Sequence, residues 1–409
     1  LLDLKVFEAL RYREYQLLWW GHVFSSMATW MDQVTRGWLI YELTNSSFEL
    51  GMVRGVQALP ILLLSPIAGS TADRYSRKSQ VMISQIVDLI LYGILALAIF
   101  SGHIQAWHVY LTAVFMAAVQ TFQQPSRASM VSDSVPPDSL TNAIGLNAMM
   151  FNVARIAGPA LAGAIIAGWS TGGAYAVQAV LYGLATIWTI KLSDERRSAA
   201  QGRLHSSHGD SFGRSIVEGW KFSWRNVEVR TGLVVVSFAS LFIIPFNTLL
   251  PVYARDLLGV GATGQGLLLT SMGIGALASA ILIASLGDRM PRGILMLGGV
   301  GAYGLLVVVF AFSTWFNLSL VLMAVIGLCH VASHALVQTV IQAYSPLQYR
   351  GRTMALFHMT QVILMIGGVL IGALASLFGA QWATALMSLA GTIAMVGIYA
   401  LIPQAREIR

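Results

Sequence analysis

The segment WMDQVTRGW places Asp32 and Arg36 four residues apart inside a long apolar run. On a helix that spacing sets both on one face, within ion-pair reach. Two chemistries are open to the pair. It is a self-satisfied structural ion pair, or Asp32 lines a cavity and takes up a proton or a cationic group. Asp88, in SQIVDLI, is a second candidate for carrying a proton. Arg155 has no acidic residue in its own apolar run, so it can meet Asp32 or Asp88 or bind an anionic part of a cargo. His330 and His334 lie four apart beside Cys329, with His358 further on. Imidazoles at that spacing can relay a proton or share a metal, but no third ligand accompanies them. Buried hydrogen-bonding histidines are therefore expected, and no metal or cofactor. Gln57, Gln120, Gln124, Asn147 and Phe151 in the first half, with Gln338, Gln342, His334 and Gln361 in the second, are candidates for a mixed apolar and polar substrate cavity.

The elements that carry these residues follow from composition. Of 409 residues, 56% are hydrophobic and 11% charged, against about 25% charged in soluble domains. Many windows exceed the ~18 apolar residues that cross a bilayer. An ionisable group at the centre of such a span costs about 2.5–3.5 kcal/mol on insertion scales, which makes each of the charges above a functional candidate. In hydrocarbon every backbone group must be satisfied internally, and these long runs rich in Leu, Ala, Gly and Met fit helices, not barrel strands. The single cysteine, Cys329, excludes a disulfide within the chain. There is no nucleotide-binding loop, metal triad or Gly-x-Ser-x-Gly elbow, so an enzyme is not expected.

Charges, glycines and prolines divide the chain into twelve expected spans, near 17–40, 50–71, 80–101, 106–126, 142–167, 173–192, 229–254, 264–286, 293–313, 317–343, 354–378 and 381–402. LLDLKVFEALRYREYQ, ahead of the first, reads as an amphipathic lead-in and not as a cleavable signal peptide. With a cytoplasmic N-terminus, all Lys and Arg except Arg36, Arg54, Arg155 and Arg255 fall in or at the edge of cytoplasmic segments. That bias sets both termini in the cytoplasm. It also accounts for the net charge of +7 as an orientation signal, so nucleic acid is not an expected partner. A polar stretch at 193–228 separates 1–192 from 229–409, six spans on each side. Within it, FGRSIVEGWKFSWRN spaces Phe212, Ile216, Trp220 and Trp224 as an amphipathic helix suited to the inner membrane surface.

The two halves repeat. GSTADRYSRK (69–78) carries Asp73, Arg74, Arg77 and Lys78, and ASLGDRMPRG (284–293) carries Asp288, Arg289 and Arg292, each between the second and third span of its half. So short a loop cannot hide these charges. They can clamp the halves together on the cytoplasmic side, with Arg127 offered to Asp73 and Arg352 to Asp288. A shift of this kind between two sets of six spans marks an internal duplication, one known transporter layout.

At Gly69, Asp73, Arg74, Arg77 and Lys78 the chain resembles the signature of the major facilitator superfamily, and the resemblance covers essentially its whole length. Ser76 replaces the second glycine of that signature. YELTNSSFELGMVRG, TFQQPSRASMVSDSVP and RIAGPALAG look like the drug and enterobactin-type exporter subgroup. The last is similar to the antiporter motif of the fifth helix, here Ala154, Gly158, Pro159, Ala162 and Gly163. The resemblance implies an all-α polytopic protein of twelve transmembrane helices in two pseudo-symmetric six-helix bundles, working as a monomer in a bacterial-type inner membrane. It implies alternating-access transport of a small molecule among membrane lipids. The expected task is proton-coupled efflux of an amphipathic organic compound, drug-like or siderophore-like. The alternative is an uncoupled facilitator or a lipid or lysolipid transporter. Two departures weigh on the coupling. The fourth-helix arginine of many proton antiporters is missing from 106–126, where Gln120 and Gln123 stand, and third helices often sit toward the periphery, which disfavours Asp88.

Overall fold

The computed structural model describes residues 5–193, 212–286 and 292–406. Every regular element among them is helical. The chain runs through α1 (Arg13–Thr44), α2 (Ser47–Gly55), α3 (Ala58–Arg74), α4 (Arg77–Phe100), α5 (Ala106–Asp133), α6 (Leu140–Gly168) and α7 (Thr171–Ile190). It continues with α8 (Phe212–Arg225), α9 (Val227–Phe238), α10 (Gly261–Leu286), α11 (Arg292–Ala311), α12 (Phe316–Ala343), α13 (Leu347–Phe378) and α14 (Ala380–Leu401).

Starts are written in short polar side chains. Ser46, Ser76, Ser170 and Asn226 each accept a hydrogen bond from the backbone N–H three residues on, opening α2, α4, α7 and α9. Ser76 therefore does not sit as a strained substitute for glycine. Its φ is −57°, and its hydroxyl caps α4 by accepting from Ser79 N at 3.3 Å. Between α1 and α2 the chain turns at Asn45, whose φ of 52° lies in the left-handed region that Asn tolerates. Beyond α9 the helix is broken. A π turn at Ala239–Ile243 gives way to a 3-10 stretch at Ile244–Leu249, and a second π turn follows at Tyr253–Leu257. Pro245 and Pro251 lack the N–H that an α-helical ladder needs, so the hydrogen bonding changes register there.

Ten stretches among the described residues are helices long and apolar enough to cross a bilayer. α1 and α5, at the first and fourth expected spans, run 32 and 28 residues but are not among them. Their polar residues explain this: α1 holds Asp32, Arg36 and Glu42, and α5 ends in QTFQQPSRASMVSD. The outer faces carry exposed Ile83, Ile90, Ile94 and Leu97 on α4 and Ile281 and Leu282 on α10, as expected of helices facing lipid.

The helices gather into two compact units, Leu1–Leu43 with Leu59–Gly209, and Thr44–Ala58 with Asp210–Arg409. In the first, α4 packs on α5 and α7, with the Tyr92 ring stacked on Tyr175 and Tyr182 at centroid distances of 5.9 and 5.4 Å. α1 packs on α7, where Gln178 Nε2 donates to Thr35 Oγ1 at 2.9 Å. It packs on α6 at Gly158, where a Cβ would lie 2.7 Å from Trp30 Cβ, so glycine is what lets the helices approach. In the second unit, α10 crosses α12 and α11 packs on α12 and α14. α2 packs against α13 backbone to backbone: a Cβ on Gly372 would lie 2.7 Å from Ser47 O.

Candidate functional site

The site begins with the i,i+4 pair on α1. Arg36 Nε donates to Asp32 Oδ2 at 2.8 Å, and Nη2 donates to Oδ1 at 3.1 Å. The guanidinium also reaches α5, donating from Nη1 to Val109 O at 3.4 Å and to Thr112 Oγ1 at 3.3 Å, with Met116 Sδ beside Nη2. Arg36 is 2% exposed. Both oxygens of Asp32 are therefore taken up by its own arginine, and that arginine is bolted to a second helix.

Asp88 is different. It is 0% exposed, and no donor meets hydrogen-bond geometry at either carboxylate oxygen. α4 presents lipid-facing isoleucines on one side, as a peripheral helix would, and turns Asp88 inward. The Tyr182 hydroxyl of α7 is its nearest donor, at the limit of hydrogen-bond reach, and Asp32 and Arg36 of α1 and Arg127 of α5 lie within electrostatic reach of it. Tyr182 shares a hydrogen bond with Thr29 Oγ1 on α1 at 3.1 Å. Arg127 Nε and Nη2 are buried with no hydrogen-bond partner. Two acids and two arginines from three helices thus lie within electrostatic reach of one another inside one unit. Charge balances across the group if all four are ionised, but its hydrogen bonding does not, since only the Asp32–Arg36 half forms a close ion pair.

Arg127 lies on a longer helix than expected. α5 extends to Asp133, past the end expected for the fourth span, so this helix does carry an arginine. Its guanidinium lies within electrostatic reach of Asp88, Tyr182 and His22, while the side chain of Asp73, to which it was offered, lies outside those described. Arg155, offered in sequence to Asp32 or Asp88, instead donates from Nη2 to Asn152 Oδ1 at 2.8 Å, one turn back on its own helix.

The loop charges have found partners that sequence spacing did not indicate. Arg77 pairs with Asp133 at the end of α5. Lys78 Nζ donates to Leu192 O at 2.5 Å, just past α7. Arg352 pairs with Glu218 of α8 at 2.5 Å, beside a stack of Phe222 on Tyr349 at 4.5 Å. Gly69, Asp73 and Arg74 lie outside the residues whose side chains are described, and Asp288 and Arg289 lie outside the described residues altogether, while Arg292 opens α11. On α8, Trp220 and Trp224 stack at 5.6 Å and are both exposed, with Lys221 and Arg225 exposed beside them.

The remaining candidates divide between the units. Gln120, Gln124, Asn147, Phe151, Gly158, Pro159 and Gly163 lie in the first. Phe151 packs edge-on to Trp30 at 5.4 Å. Gln57, Gln338, Gln342, His334 and Gln361 lie in the second. There, rings of Tyr303, His330, His334 and Phe357 follow one another at 5.2, 6.1 and 5.0 Å. Tyr303, His330, Ser333 and His334 line a small cavity with Val236, Ala239 and Ile244. Among the described residues, no three His, Cys, Asp or Glu side chains are grouped to hold a metal.

Apolar helices in bilayer-length runs, with buried charged groups brought together from several of them, define an all-α multi-pass membrane transporter of the major facilitator type. The chain belongs to the transmembrane secretion effector family, whose pattern it matches over residues 5–407. It is 26% identical over 390 residues to the multidrug efflux pump Tap of Mycolicibacterium fortuitum, a match covering 91% of each chain. It is 26% identical over 167 residues to the staphyloferrin A transporter of Staphylococcus aureus, covering 41% of this chain and 42% of that one. The structure of the nucleoside transporter NupG superposes with a TM-score of 0.76 at 12% identity, over 94% of this chain and 98% of that one, which speaks to fold alone. The family and these relatives are membrane transporters and not enzymes.

Proposed function

We propose that the protein exports an amphipathic organic compound, drug-like or siderophore-like, from the cytoplasm of a bacterial cell in exchange for protons. The proposed arrangement sets both termini in the cytoplasm of the plasma membrane, with bundles at 1–192 and 229–409 and the linker 193–228 between them. The observation that carries the reading is Asp88, a wholly buried carboxylate with the Tyr182 hydroxyl as its one nearby donor and no close ion pair, within electrostatic reach of a second acid and two arginines. A transporter that only needs to pass cargo has no use for such a group. One that carries a proton does, because a proton neutralises Asp88 and turns it into a hydrogen-bond donor. Asp32 is read as its partner: with both oxygens on Arg36, it sets the field in which Asp88 changes state. Arg127 restores the fourth-helix cation whose absence weighed against coupling. The loop charges Asp73, Arg74, Arg77, Lys78, Asp288, Arg289, Arg292 and Arg352 are read as the inner gate, and the neutral polar groups of both units as cargo contacts. The relatives that are named for multidrug efflux and for staphyloferrin A support this cargo class.

The test uses protein reconstituted in liposomes, with ethidium as an amphipathic probe and an imposed pH gradient. The wild type is expected to accumulate ethidium against its gradient. Asp88→Asn is expected to abolish accumulation while retaining probe-for-probe exchange. Uptake that ignores the pH gradient in the wild type contradicts proton coupling and favours the facilitator.

A further inference from the structure

We infer that the seam between α4 and α5 is an internal, water-lined proton path that connects the loop end of the first unit to Asp88. This deepens the proton-coupled reading and rests on it. Gln80, Ser84, Gln85 and Asp88 share one face of α4 by their helical spacing. α5 meets that face with Ser126, Gln123 and the carbonyl of Val119. Ser126 Oγ donates to Gln80 Oε1 at 3.0 Å, and Ser84 Oγ donates to Val119 O at 3.5 Å. At the loop end Gln80 Nε2 donates to Thr71 O at 2.9 Å and to Tyr75 O at 3.4 Å, which ties the seam to the last turn of α3 and the loop after it. Ser84, Gln85, Asp88, Gln123 and Ser126 are all buried. A lipid-spanning helix pair needs no such stripe for packing.

Six atoms along the stripe lack a close protein hydrogen bond, with only the Tyr182 hydroxyl near Asp88: Gln85 Oε1, both Asp88 oxygens, Gln123 Nε2, and Nε and Nη2 of Arg127. A buried polar atom left unpaired loses about 1–3 kcal/mol, and proteins meet that need with ordered water. The six include donors on α5 and acceptors on α4, so a chain of waters between them is anchored on both sides. From Gln80 to Asp88 is about 12 Å at ~1.5 Å per residue, room for about four waters in line. Beyond Asp88 the polar groups continue through the Tyr182 hydroxyl to Thr29 Oγ1, at 3.1 Å. The ionisable groups facing Asp88 are Asp32 and Arg36 from α1, Arg127 from α5, Tyr182 from α7 and Tyr92 from its own helix. In the proposed exchange the path serves release of the Asp88 proton toward the loop end. Arg127, a fixed cation beside the path, opposes passage of a bare hydronium, which keeps the path from acting as a leak.

The experiment is attenuated-total-reflection infrared spectroscopy of the full chain in lipid. The carboxyl C=O band of protonated Asp88 is assigned by its loss in Asp88→Asn, and the rate at which that band shifts is followed after exchange into D2O. Gln123→Leu is expected to slow the shift about tenfold, the rate equivalent of one lost hydrogen-bonding link. Gln123→Asn, which keeps the amide, and Phe115→Leu, on the exposed face of α5, are expected to shift at the wild-type rate. An unchanged rate in Gln123→Leu overturns the path and leaves proton coupling standing, as does equal slowing in all three variants. If Asp88→Asn removes no carboxyl band, the proton-carrying role of Asp88 falls and the path falls with it.

Discussion

Replacing Arg36 by methionine removes a buried cation of similar length and leaves Asp32 in place. The structure sets the scale of the effect. Arg36 gives two hydrogen bonds to Asp32, at 2.8 and 3.1 Å, and two more to α5, at 3.4 and 3.3 Å, with side-chain exposures of 3% for Arg36 and 18% for Asp32. Breaking a buried pair from one side strands the other charge and costs about 3–5 kcal/mol. Removing both charges together, in Asp32→Asn with Arg36→Met, leaves no stranded acid and is expected to recover at least about 2 kcal/mol of that loss, since exchanging a whole buried pair for neutral groups is often close to neutral. The assay is equilibrium unfolding in mixed micelles, followed by the fluorescence of the 11 tryptophans, with a double-mutant cycle built from the four proteins. A coupling energy below about 0.5 kcal/mol would mean that the two side chains do not stabilise each other. Asp32 would then not be held by Arg36, and the division of roles that leaves Asp88 to carry the proton would lose its basis.

Three further outcomes follow from particular contacts. Gly372→Val places a side chain against Ser47 O, where a Cβ already lies within 2.7 Å, and is expected to destabilise the second unit by about 1–3 kcal/mol on thermal unfolding. Glu218→Gln breaks a pair whose side chains are 39% and 26% exposed, so the change in global stability is expected to stay within about 1 kcal/mol; the readout is faster amide exchange over the C-terminal half of α8, and unchanged exchange would mean that the pair does not hold the helix. Ser76→Ala is expected to cost about 1 kcal/mol through the lost cap of α4, and Ser76→Gly only a few tenths, so a larger loss with glycine would show that the hydroxyl is not the cap.

The architecture was legible because bilayer-length apolar runs and the placement of Lys and Arg are local properties of a chain. The i,i+4 pair of Asp32 and Arg36 was legible for the same reason, since helical spacing alone brings the two together. What sequence could not show is which charges from different helices meet. Asp88 looked disfavoured on a peripheral helix, yet the rotation of α4 about its axis buries it completely, and that rotation is set by packing on α5 and α7. The fourth expected span stops near residue 126, whereas the helix runs on to Asp133 with Pro125 inside it and carries Arg127. Glu218 and Asp133, the partners of Arg352 and Arg77, lie 134 and 56 residues from them, and no pattern of spacing points to such pairs. For Glu218 the signal available was chemical: it is the one acid in FGRSIVEGWKFSWR, among Arg214, Lys221 and Arg225. The assembly of Thr44–Ala58 with the second unit is likewise long-range. Its trace in sequence is Gly51, Gly368 and Gly372, small residues on two segments that let backbones touch.

The most direct test of the central claim reverses the direction of drive. Liposomes carrying the protein and a trapped pH-sensitive dye, with no initial pH gradient, receive a steep outward or inward gradient of ethidium. The account predicts that ethidium flow moves protons the opposite way and changes the internal pH, and that Asp88→Asn carries ethidium with no pH change. Ethidium flow through the wild type with the internal pH constant would contradict it.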